Sequence, residues 1–356
     1  MKGVLLAGGH GTRLRPLTYT GNKHMLPVAN KPILSYGLED LKKAGISEIA
    51  IILGPMKEGV EEFVGDGSKF GVRVTYINQP EPKGIAHAVS LAEDFIDEDS
   101  FVVYLGDNIL KGGIERYVKK FRNERDIDEI LLLYRVKNLV LAKRFGIAEV
   151  KGNRVVRVVE KPKEPKSDLT MPGVYFFRPI VFDAIRELKP SYRGELEITE
   201  AIQKLIDWGC NVVPEVIGGW WKDTGVPEDI LDANRLILDD IKSDIKGVIE
   251  NAVARGRVVI GEDSVIKDNS VVKGPLIVGK NCMISNTYIG PYTSIGDNCI
   301  IENTEVEDSI IMENTKIINA GKIVDSLIGK NAVIKKGDNL PKGKRLIIGD
   351  SSEVVI

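Results

Sequence analysis

The chain has few of the residues that mark secreted, zinc-bound or membrane-embedded proteins. Its 356 residues include three cysteines, Cys210, Cys282 and Cys299, which lie far apart and form no C-x-x-C pair. A disulfide scaffold and a structural zinc site are therefore not indicated. No stretch approaches the roughly 18 consecutive apolar residues of a membrane span, and the apolar run at residues 4–7 is too short for a signal-peptide core. We expect a cytoplasmic protein with reduced thiols and no membrane partner.

An excess of charge of either sign is also missing. Lys and Arg number 49 against 51 Asp and Glu, so the formal net charge is -2. Without a basic field, nucleic acid is not an expected partner, and any anion must be bound by local groups. The 28% of charged residues, together with only two glutamines, Gln79 and Gln203, is a pattern found in thermophilic proteins.

Up to about residue 240, short apolar runs alternate with amphipathic stretches. KGVLLAG, SEIAIILG, VRVTYIN and FVVYLGDN resemble strands, whereas ILSYGLEDLKKAG and GIAHAVSLAEDF resemble helices. This alternation predicts an α/β domain over residues 1–240, built around a mainly parallel sheet. Ligands in such sheets bind beyond the carboxyl ends of the strands. The stretches GGHGTRLRP and LGDN both follow predicted strands and are candidate walls of a pocket.

The pattern changes at about residue 245. From there a branched aliphatic residue recurs every six positions, as in IGEDS, IKDNS, VGKNC, IGDNC and IGKNA, with occasional one-residue slips. A period of six predicts a parallel β-helix over residues 245–356, in which about three hexapeptide repeats close one coil. Cys282 and Cys299 occupy equivalent positions about one coil apart; small inward-facing fillers are favoured, although a disulfide is within reach. A solenoid of this kind typically buries an interface, so we expect a homo-oligomer.

The stretch GGHGTRLRP matches neither standard phosphate loop. A dinucleotide fingerprint would need glycine at Leu14, and a Walker A loop would need glycine at Arg13. Glycines nevertheless let backbone N–H groups approach phosphate oxygens, and Arg13 and Arg15 could neutralise a polyphosphate. The alternative is an ordinary glycine-rich turn between a strand and a helix.

Two aspartates predict a metal site. Asp107 ends a predicted strand, and Asp223 lies in WWKDTG. Two carboxylates of this kind could coordinate Mg²⁺, the hard cation that accompanies phosphate substrates, although each could instead cap a turn. Polar groups in VVEKP and RGELEIT follow other strands, which favours one pocket over scattered surface charge; the alternative for Arg193 is a pair with Glu195 or Glu197.

Nine motifs in order carry a resemblance to a known family. LLAGGHGTRLRPLT, NKHMLPVANKPIL, QPEPKGIAHAV, LGDNIL, FGIAEV, VVEKP, PGVYFF, RGELEIT and WWKDTG follow one another as in the sugar-1-phosphate nucleotidyltransferases. The similarity extends to the long members, which join a Rossmann-like nucleotidyltransferase domain to a C-terminal left-handed β-helix. It implies attack of a sugar phosphate oxygen on the α-phosphorus of a nucleoside triphosphate, with release of pyrophosphate. The implied substrates are dTTP, or UTP, and glucose-1-phosphate, with Mg²⁺ as the cofactor.

The resemblance also implies roles for individual residues. Arg13 and Lys23 would be catalytic, stabilising charge on the transferring phosphate. The nucleotide would contact Leu6, Gly8, Gly9, Gly11, Thr12, Arg13, Gln79 and Gly84, and Gln79 would read the pyrimidine edge. The sugar phosphate would contact Asn108, Gly146, Glu160, Lys161, Val174 and Arg193. Asp107 and Asp223 would hold Mg²⁺. The motif assigns no role to His10 or His24, which we interpret as packing or surface residues.

Other functions can be compared with this one. A bifunctional enzyme of N-acetylhexosamine activation would need a histidine base for acetyl transfer in its β-helix, but His10, His24 and His87 all precede the repeats. We therefore predict no acetyltransferase activity. A sugar-nucleotide sensor could lose its metal ligands, whereas Asp107 and Asp223 are both present. The choice between dTTP and UTP stays open, because one methyl group in an apolar pocket is worth only about 1–3 kcal/mol.

Overall fold

The computed structural model describes residues 1–337, apart from the side chain of Glu58; the last part of the predicted β-helix, residues 338–356, lies outside the described residues. The chain divides into two compact units. The first comprises Met1–His10, Gly21–Met25 and Ile33–Asp223, and the second comprises Gly11–Thr20, Leu26–Pro32 and the chain from Thr224 onward. Within the described residues, every helix is too short or too polar to cross a bilayer.

The elements before residue 240 alternate between strands and helices. The helices are α1 (Ile33–Lys43), α2 (Glu58–Val64), α3 (Ile85–Ser90), α4 (Glu93–Ile96), α5 (Glu115–Asn123), α6 (Leu139–Ala142), α7 (Ile180–Arg186), α8 (Ile198–Asp207) and α9 (Pro227–Leu238). The strands are β1 (Lys2–Ala7), β2 (Pro27–Val28), β3 (Lys31–Pro32), β4 (Glu48–Leu53), β5 (Arg73–Asn78), β6 (Phe101–Leu105), β7 (Asn108–Leu110), β8 (Glu129–Arg135), β9 (Ile147–Lys151), β10 (Arg154–Val159), β11 (Leu169–Thr170), β12 (Val174–Phe177), β13 (Val212–Val216) and β14 (Trp221–Asp223).

The first unit is built on a large twisted sheet in the order β10-β9-β11-β8-β12-β6-β1-β4-β5, with β13 paired to β8. Strands β6, β1, β4 and β5 are parallel to one another. Strand β12 is antiparallel to both of its neighbours, β6 and β8. The predicted α/β class is confirmed, and the carboxyl ends of β1, β4, β5 and β6 meet at one edge of the sheet.

The central strands of this sheet are buried on both faces, which explains the unbroken apolar runs of β1, β4 and β6. Leu5 and Ala7 of β1 pack into one core cluster with apolar residues of α1 and α5. Val4 and Leu6 pack into a second cluster with residues of α3, α7 and α8. Successive side chains of a strand point to opposite faces, so β1 contributes to both cores and is fixed between two layers of helices.

The second unit contains a solenoid of short parallel strands. Its strands are β15 (Asp244–Ile245), β16 (Val248–Ile249), β17 (Val253–Arg255), β18 (Val258–Ile260), β19 (Val265–Lys267), β20 (Val271–Lys273), β21 (Leu276–Val278), β22 (Met283–Ser285), β23 (Tyr288–Ile289), β24 (Thr293–Ile295), β25 (Ile300–Val306), β26 (Ile310–Ile311), β27 (Lys316–Ile323), β28 (Leu327–Ile328) and β29 (Val333–Lys335). One sheet has the order β15-β18-β21-β24-β26-β28, and a second joins the other two faces. Val258 pairs with Leu276, and Leu276 with Thr293, so each coil stacks directly on the last, as expected for a β-helix.

Asparagine and aspartate side chains form the corners of this solenoid. Asn281, Asn298, Asn314 and Asn331 all have positive φ, a conformation that asparagine tolerates better than most residues. Asn281 donates to Asn298 at 3.2 Å, and Asn298 donates to Asn314 at 3.1 Å. The asparagine that recurs in VGKNC, IGDNC and IGKNA therefore makes each turn, and in the first two it also donates to the asparagine of the next coil.

The cysteines of the solenoid are free thiols that fill its interior. Cys282 and Cys299 are 2% and 0% exposed, and neither forms a disulfide. The Cys282 Sγ lies 3.1 Å from the Gly296 carbonyl oxygen, and the Cys299 Sγ lies 3.3 Å from that of Met312. Their interpretation as small inward-facing residues is confirmed.

A hairpin from the N-terminal part of the chain belongs to the second unit. Strands β2 and β3 pair across a turn at Ala29 and Asn30. Asn234 of α9 is fully buried; its Oδ1 accepts from the Ala29 amide at 2.8 Å, and its Nδ2 donates to the Tyr292 carbonyl at 2.9 Å. Asn30 donates to the Ile295 carbonyl at 2.6 Å. One buried amide thus ties the hairpin, the helix and a solenoid coil together.

The carboxyl group of Asp40 on α1 predicts a pH dependence of stability. Asp40 is 8% exposed and accepts a hydrogen bond from the Tyr104 hydroxyl at 3.0 Å. Burial raises the pKa of Asp40 to about 6. Because this folded-state pKa exceeds the unfolded value, stability is lost as the pH rises from the unfolded toward the folded pKa.

Asp40→Asn cannot ionise and still offers an oxygen to Tyr104. Between about pH 4 and pH 7, we expect the wild type to lose roughly 2–3 kcal/mol of unfolding free energy relative to Asp40→Asn. Urea denaturation of both proteins at several pH values measures this difference. A difference between the two proteins that does not change with pH would contradict the assignment.

Candidate functional site

A loop that begins at Gly8 and Gly9, called here the glycine loop, follows β1 at the edge of the sheet where the parallel strands end. Gly54 follows β4, and a Cβ atom there would clash with the Gly8 carbonyl oxygen. A Cβ atom on Gly8 would lie 3.0 Å from the Gln79 Oε1. Gln79, which follows β5, is 6% exposed. The ends of β1, β4 and β5 therefore approach so closely that only glycine fits at residue 54.

Lys23 lies against this loop and forms an ion pair with Asp107. Its Nζ contacts Asp107 Oδ2, and a Cβ atom on Gly9 would lie 2.8 Å from the Lys23 Cε. Both side chains are mostly shielded from solvent, at 15% and 14% exposure. Burial alone would raise the pKa of Asp107, but the nearby positive charge, that of Lys23 first, and the hydrogen bonds from Lys23 and Asn108 together hold this pKa below its usual range. The pair places one cation and one anion beside the glycine loop.

Two buried residues hold the turn that carries Lys23. The Asn22 Nδ2 donates to the carbonyl oxygens of Ala7 and Met56, at 3.0 and 2.9 Å. The Asn22 Oδ1 faces the Nδ1 of His24 at 2.6 Å. Burial, with the charge of Lys23, lowers the pKa of His24 to about 3, so the ring is neutral. His24 is a packing residue, as interpreted from the sequence, whereas His10 is exposed.

Asn108 and Asp223 stand beside Asp107 on a small two-stranded sheet. Strand β14 pairs with β7 so that Asp223 lies opposite Asn108. The Asn108 Oδ1 accepts from the Trp221 Nε1 at 2.6 Å, and its Nδ2 donates to the Asp107 Oδ1 at 2.8 Å. Asn108, predicted to contact the sugar phosphate, is 2% exposed and in this structure orients Asp107.

The two aspartates fit a magnesium site that substrate would complete. Among residues 1–337, no group of three or more His, Cys, Asp or Glu side chains could by itself hold a metal ion. Magnesium is commonly bound by one or two carboxylates together with substrate phosphates, rather than by an all-protein cage. Asp107, in the turn before β7, and Asp223, at the end of β14, which pairs with β7, would supply that partial set of ligands.

A second polar cluster contains most of the predicted sugar-phosphate residues. The Arg193 guanidinium lies 3.0 Å from Glu195, 3.2 Å from Glu197 and 3.6 Å from Glu160, and the Lys161 Nζ lies 3.5 Å from Glu160. The alternative considered from the sequence, pairing of Arg193 with Glu195 or Glu197, is thus present here. Burial and, to a smaller extent, the charge of Glu197 raise the pKa of Glu160.

Glycine again borders this cluster. A Cβ atom on Gly146 would lie 2.9 Å from the Thr199 Cγ2, 3.0 Å from the Met171 Sδ and 3.3 Å from the Glu160 Oε2. The Thr199 hydroxyl is buried and has no hydrogen-bond partner. The structure therefore brings Gly146, Glu160, Lys161 and Arg193 together, and a side chain at residue 146 would displace its neighbours in this cluster.

Two predicted contact residues lie in the core. The side chains of Leu6 and Val174 are 8% and 0% exposed and belong to the apolar clusters on the two faces of the sheet. The part of Leu6 nearest the loop is its backbone, which accepts from the Gly106 amide at 2.9 Å. Any ligand contact made by the Leu6 or Val174 side chain would have to penetrate these clusters.

The continuation of the glycine loop belongs to the second unit. Gly11 has φ of 61°, and a single 3₁₀ turn, Thr12–Leu14, follows it. The Thr18 Oγ1 donates to the Gly11 carbonyl at 2.7 Å, and Leu14 is buried. Thr12 and Arg13 are exposed. The turn thus fixes its backbone through Leu14 and Thr18 and leaves Arg13 at the surface of this unit.

Two residues that shape the site were not predicted from the sequence: Asn22 holds the lysine turn, and Gly54 permits the close approach of two strands. Asn108 was predicted as a contact of the sugar phosphate, but its role in orienting Asp107 was not. Gly54 could have been found as the glycine that ends SEIAIILG, a predicted strand. For Asn22 the only local signal is its position beside Lys23.

Comparison with known proteins identifies the family of the chain. The sequence profile of the family described as nucleotidyl transferase matches residues 2–240. A glucose-1-phosphate thymidylyltransferase of Streptomyces antibioticus is 47% identical, with 100% of this chain and 99% of that protein covered. The low-salt glycan biosynthesis nucleotidyltransferase Agl11 of Haloferax volcanii is 48% identical, with 99% of each chain covered.

A solved structure gives the same result. The glucose-1-phosphate thymidylyltransferase of Bacillus anthracis, crystallised in complex with sucrose, superposes with a TM-score of 0.63 at 41% identity, covering 69% of this chain and 98% of that one. The chain belongs to the nucleotidyl transferase family. The resemblance drawn from the nine ordered motifs is therefore confirmed.

Gly84, predicted to contact the nucleotide, offers a test of the local geometry. It has φ of 103°, and a Cβ atom there would clash with the Leu196 carbonyl oxygen and lie 2.7 Å from the Leu196 amide nitrogen. Gly194 also has positive φ, at 74°, but nothing lies within 4 Å of its Cβ position. Both substitutions to alanine add backbone strain, whereas only one adds a clash.

We expect Gly194→Ala to cost about 1 kcal/mol of unfolding free energy and Gly84→Ala about 3 kcal/mol or more. Parallel urea denaturation of the two variants and the wild type measures both values. Equal losses would show that the loop at residue 84 relaxes away from Leu196.

Proposed function

We propose that the protein is a glucose-1-phosphate thymidylyltransferase, which transfers a thymidylyl group from dTTP to glucose-1-phosphate and releases pyrophosphate. The product is dTDP-glucose. The observation that carries the proposal is the Lys23–Asp107 pair against the glycine loop, in a chain similar over its whole length to an enzyme of that name. The polar cluster around Gly146 and Arg193 supplies a second anion-binding region in the same unit.

The chain's own residues act mainly by position and charge. Backbone N–H groups at Gly8 and Gly9 can approach phosphate oxygens, since no side chains shield them. Lys23, held by the turn at Asn22, would stabilise negative charge on the α-phosphate as the bond to pyrophosphate breaks. For Arg13, which the motif assigns to the same phosphate, the role rests on the resemblance alone.

On the acceptor side, Arg193 and Lys161 would bind the phosphate of glucose-1-phosphate. Glu160, which contacts both of them, would accept hydrogen bonds from hydroxyls of the sugar. Because the acceptor's own phosphate oxygen is the nucleophile, no protein nucleophile is needed, and correct placement of two bound substrates supplies most of the rate. Mg²⁺, held by Asp107 and Asp223, would neutralise charge on the triphosphate.

Release of pyrophosphate tests this function. The purified protein is incubated with Mg²⁺ and glucose-1-phosphate, and with dTTP, UTP, ATP or GTP in parallel. We expect activity with the pyrimidine nucleotides, and the ratio of dTTP to UTP turnover decides between a thymidylyltransferase and a uridylyltransferase. Chelation of Mg²⁺ with EDTA should abolish turnover, and added Mg²⁺ should restore it. Absence of pyrophosphate release with all four nucleotides would refute the proposal.

Two variants, each with one aspartate replaced by asparagine, test whether Asp107 takes part in the reaction. Asp107→Asn should lower kcat by about 100-fold or more, because it removes a metal ligand and the partner of Lys23. Asp94→Asn, the same change at an exposed residue of α4, should leave kcat unchanged. Similar kcat values for the two variants would remove Asp107 from the mechanism.

We propose further that the solenoid mediates self-association. Val248, Val265, Met283, Ile300 and Val333 follow one another along one register line of its second sheet, interrupted by a lysine. Val248, Met283 and Val333 are 47%, 42% and 62% exposed. An apolar line of this length on a surface is typical of an interface, and a second copy would bury it symmetrically.

Light scattering coupled to gel filtration tests the association. We expect the wild type to be oligomeric and Met283→Lys with Val248→Lys to dissociate it into smaller species. Val324→Lys, which changes an exposed valine outside this line, is the matched control and should stay oligomeric. A monomeric wild type would refute the interface.

A further inference from the structure

The amide of Gln79 contacts two groups at the start of α3. Gln79 directly follows β5 and is 6% exposed. Its Nε2 lies 3.0 Å from the Nδ1 of His87 and 3.4 Å from the carbonyl oxygen of Gly84. The family resemblance assigns Gln79 to the pyrimidine edge of the nucleotide, whereas His87 has no assigned role although it contacts Gln79.

These partners determine which way the amide points. A carbonyl oxygen can only accept a hydrogen bond, so the group that faces Gly84 is the NH₂ of Gln79. The same NH₂ faces His87, whose Nδ1 must then accept. His87 is therefore the neutral tautomer that carries its proton on Nε2.

The surroundings of His87 favour this neutral form. Burial, assisted by the positive charge of Lys83, lowers the pKa of His87, and Glu81 opposes this to a smaller extent. Both charged residues lie on the loop that precedes α3. An imidazolium would have no acceptor to offer Gln79, so the observed contact requires the deprotonated ring.

This orientation leaves the carbonyl oxygen of the Gln79 amide available to a ligand. With both N–H groups directed at His87 and Gly84, the free group of Gln79 is its Oε1, on the side of Gly8. Thymine and uracil carry a donor, N3–H, whereas N3 of cytosine is an acceptor. An acceptor fixed at this point can accept from N3–H of thymine or uracil. With cytosine bound, the Gln79 Oε1 and the cytosine N3 would be two acceptors facing each other, and this lowers the affinity for cytidine nucleotides.

We propose that His87 is a positioning residue that locks Gln79 as a hydrogen-bond acceptor and so selects thymidine and uridine nucleotides against cytidine nucleotides. This inference rests on the proposed function, because it assumes that Gln79 meets the base of the nucleotide substrate. It explains how an amide, which could otherwise rotate and pair with any pyrimidine, becomes selective.

The tautomer can be measured without any turnover. His24 provides an internal reference, because its Nδ1 faces the Oδ1 of Asn22, whose Nδ2 donates to Ala7 and Met56; His24 must therefore carry its proton on Nδ1. Two-bond ¹⁵N–¹H spectra of histidine-labelled protein near pH 7 distinguish the two forms, and His87→Gln assigns the His87 signals. We expect opposite tautomers for His24 and His87. An Nδ1–H or imidazolium form of His87 would overturn the proposal.

Selectivity is measured as the ratio of kcat/KM for dTTP to that for dCTP. In His87→Phe, which offers no acceptor, we expect this ratio to fall by about tenfold or more, mainly through a higher KM for dTTP. His87→Gln can accept from the Gln79 amide through its own carbonyl and should retain the ratio. A merely structural role would lower both kcat/KM values together in either variant.

The outcomes separate this inference from the function on which it rests. A wild type that turns over dTTP while His87→Phe keeps its dTTP to dCTP ratio would refute the role of His87 and leave the function standing. A wild type that turns over neither nucleotide would refute the proposed function and the selectivity together. Circular dichroism of both variants shows that the fold is retained.

Discussion

The ion pair between Lys23 and Asp107 is the contact on which the rest of the candidate site depends. Charged groups that are mostly shielded from water are stable only when they are paired and when further hydrogen bonds satisfy their remaining donors and acceptors. Here Asn22 fixes the turn of the lysine, and Asn108 fixes the aspartate. The parallel pairing of β1 with β6 brings the two strand ends into reach. The sheet, its buried amides and the glycine loop can thus be understood as supports for one pair of charges.

Much of the fold could be predicted because local pattern and burial agree. The apolar runs of β1, β4 and β6 are buried on both faces, and the six-residue period of the C-terminal part matches coils that stack in register. The antiparallel insertion of β12 between β6 and β8 could not be predicted, because PGVYFF has the same apolar character as a parallel strand. Nor does any local signal assign the β2–β3 hairpin to the second unit; its partners, Asn234 and Ile295, lie 205 and 265 residues further along the chain.

The candidate site, like the fold, could be predicted where the residue types themselves carry the signal. Residue types that bear charge, such as Lys23, Asp107 and Arg193, are visible in the sequence, and the structure places Lys23 with Asp107 and Arg193 with Glu160. What the sequence does not reveal is how neutral amides are oriented. Asn108, Asn22 and Gln79 each act through the direction of one C=O or NH₂ group, which depends on three-dimensional neighbours such as Trp221 and His87.

The bonds of Asn234 have a consequence for modularity. A solenoid of sequence repeats that follows another domain would be expected to be an independent domain, which could be removed or exchanged at the point where its repeats begin. Here the turn of the β2–β3 hairpin, more than two hundred residues earlier in the sequence, is bonded to α9 and to a solenoid carbonyl. A chimaera joined near residue 240 would keep Asn234 but replace the Tyr292 and Ile295 carbonyls that accept from Asn234 and Asn30, so the solenoid cannot be exchanged independently of the hairpin and α9.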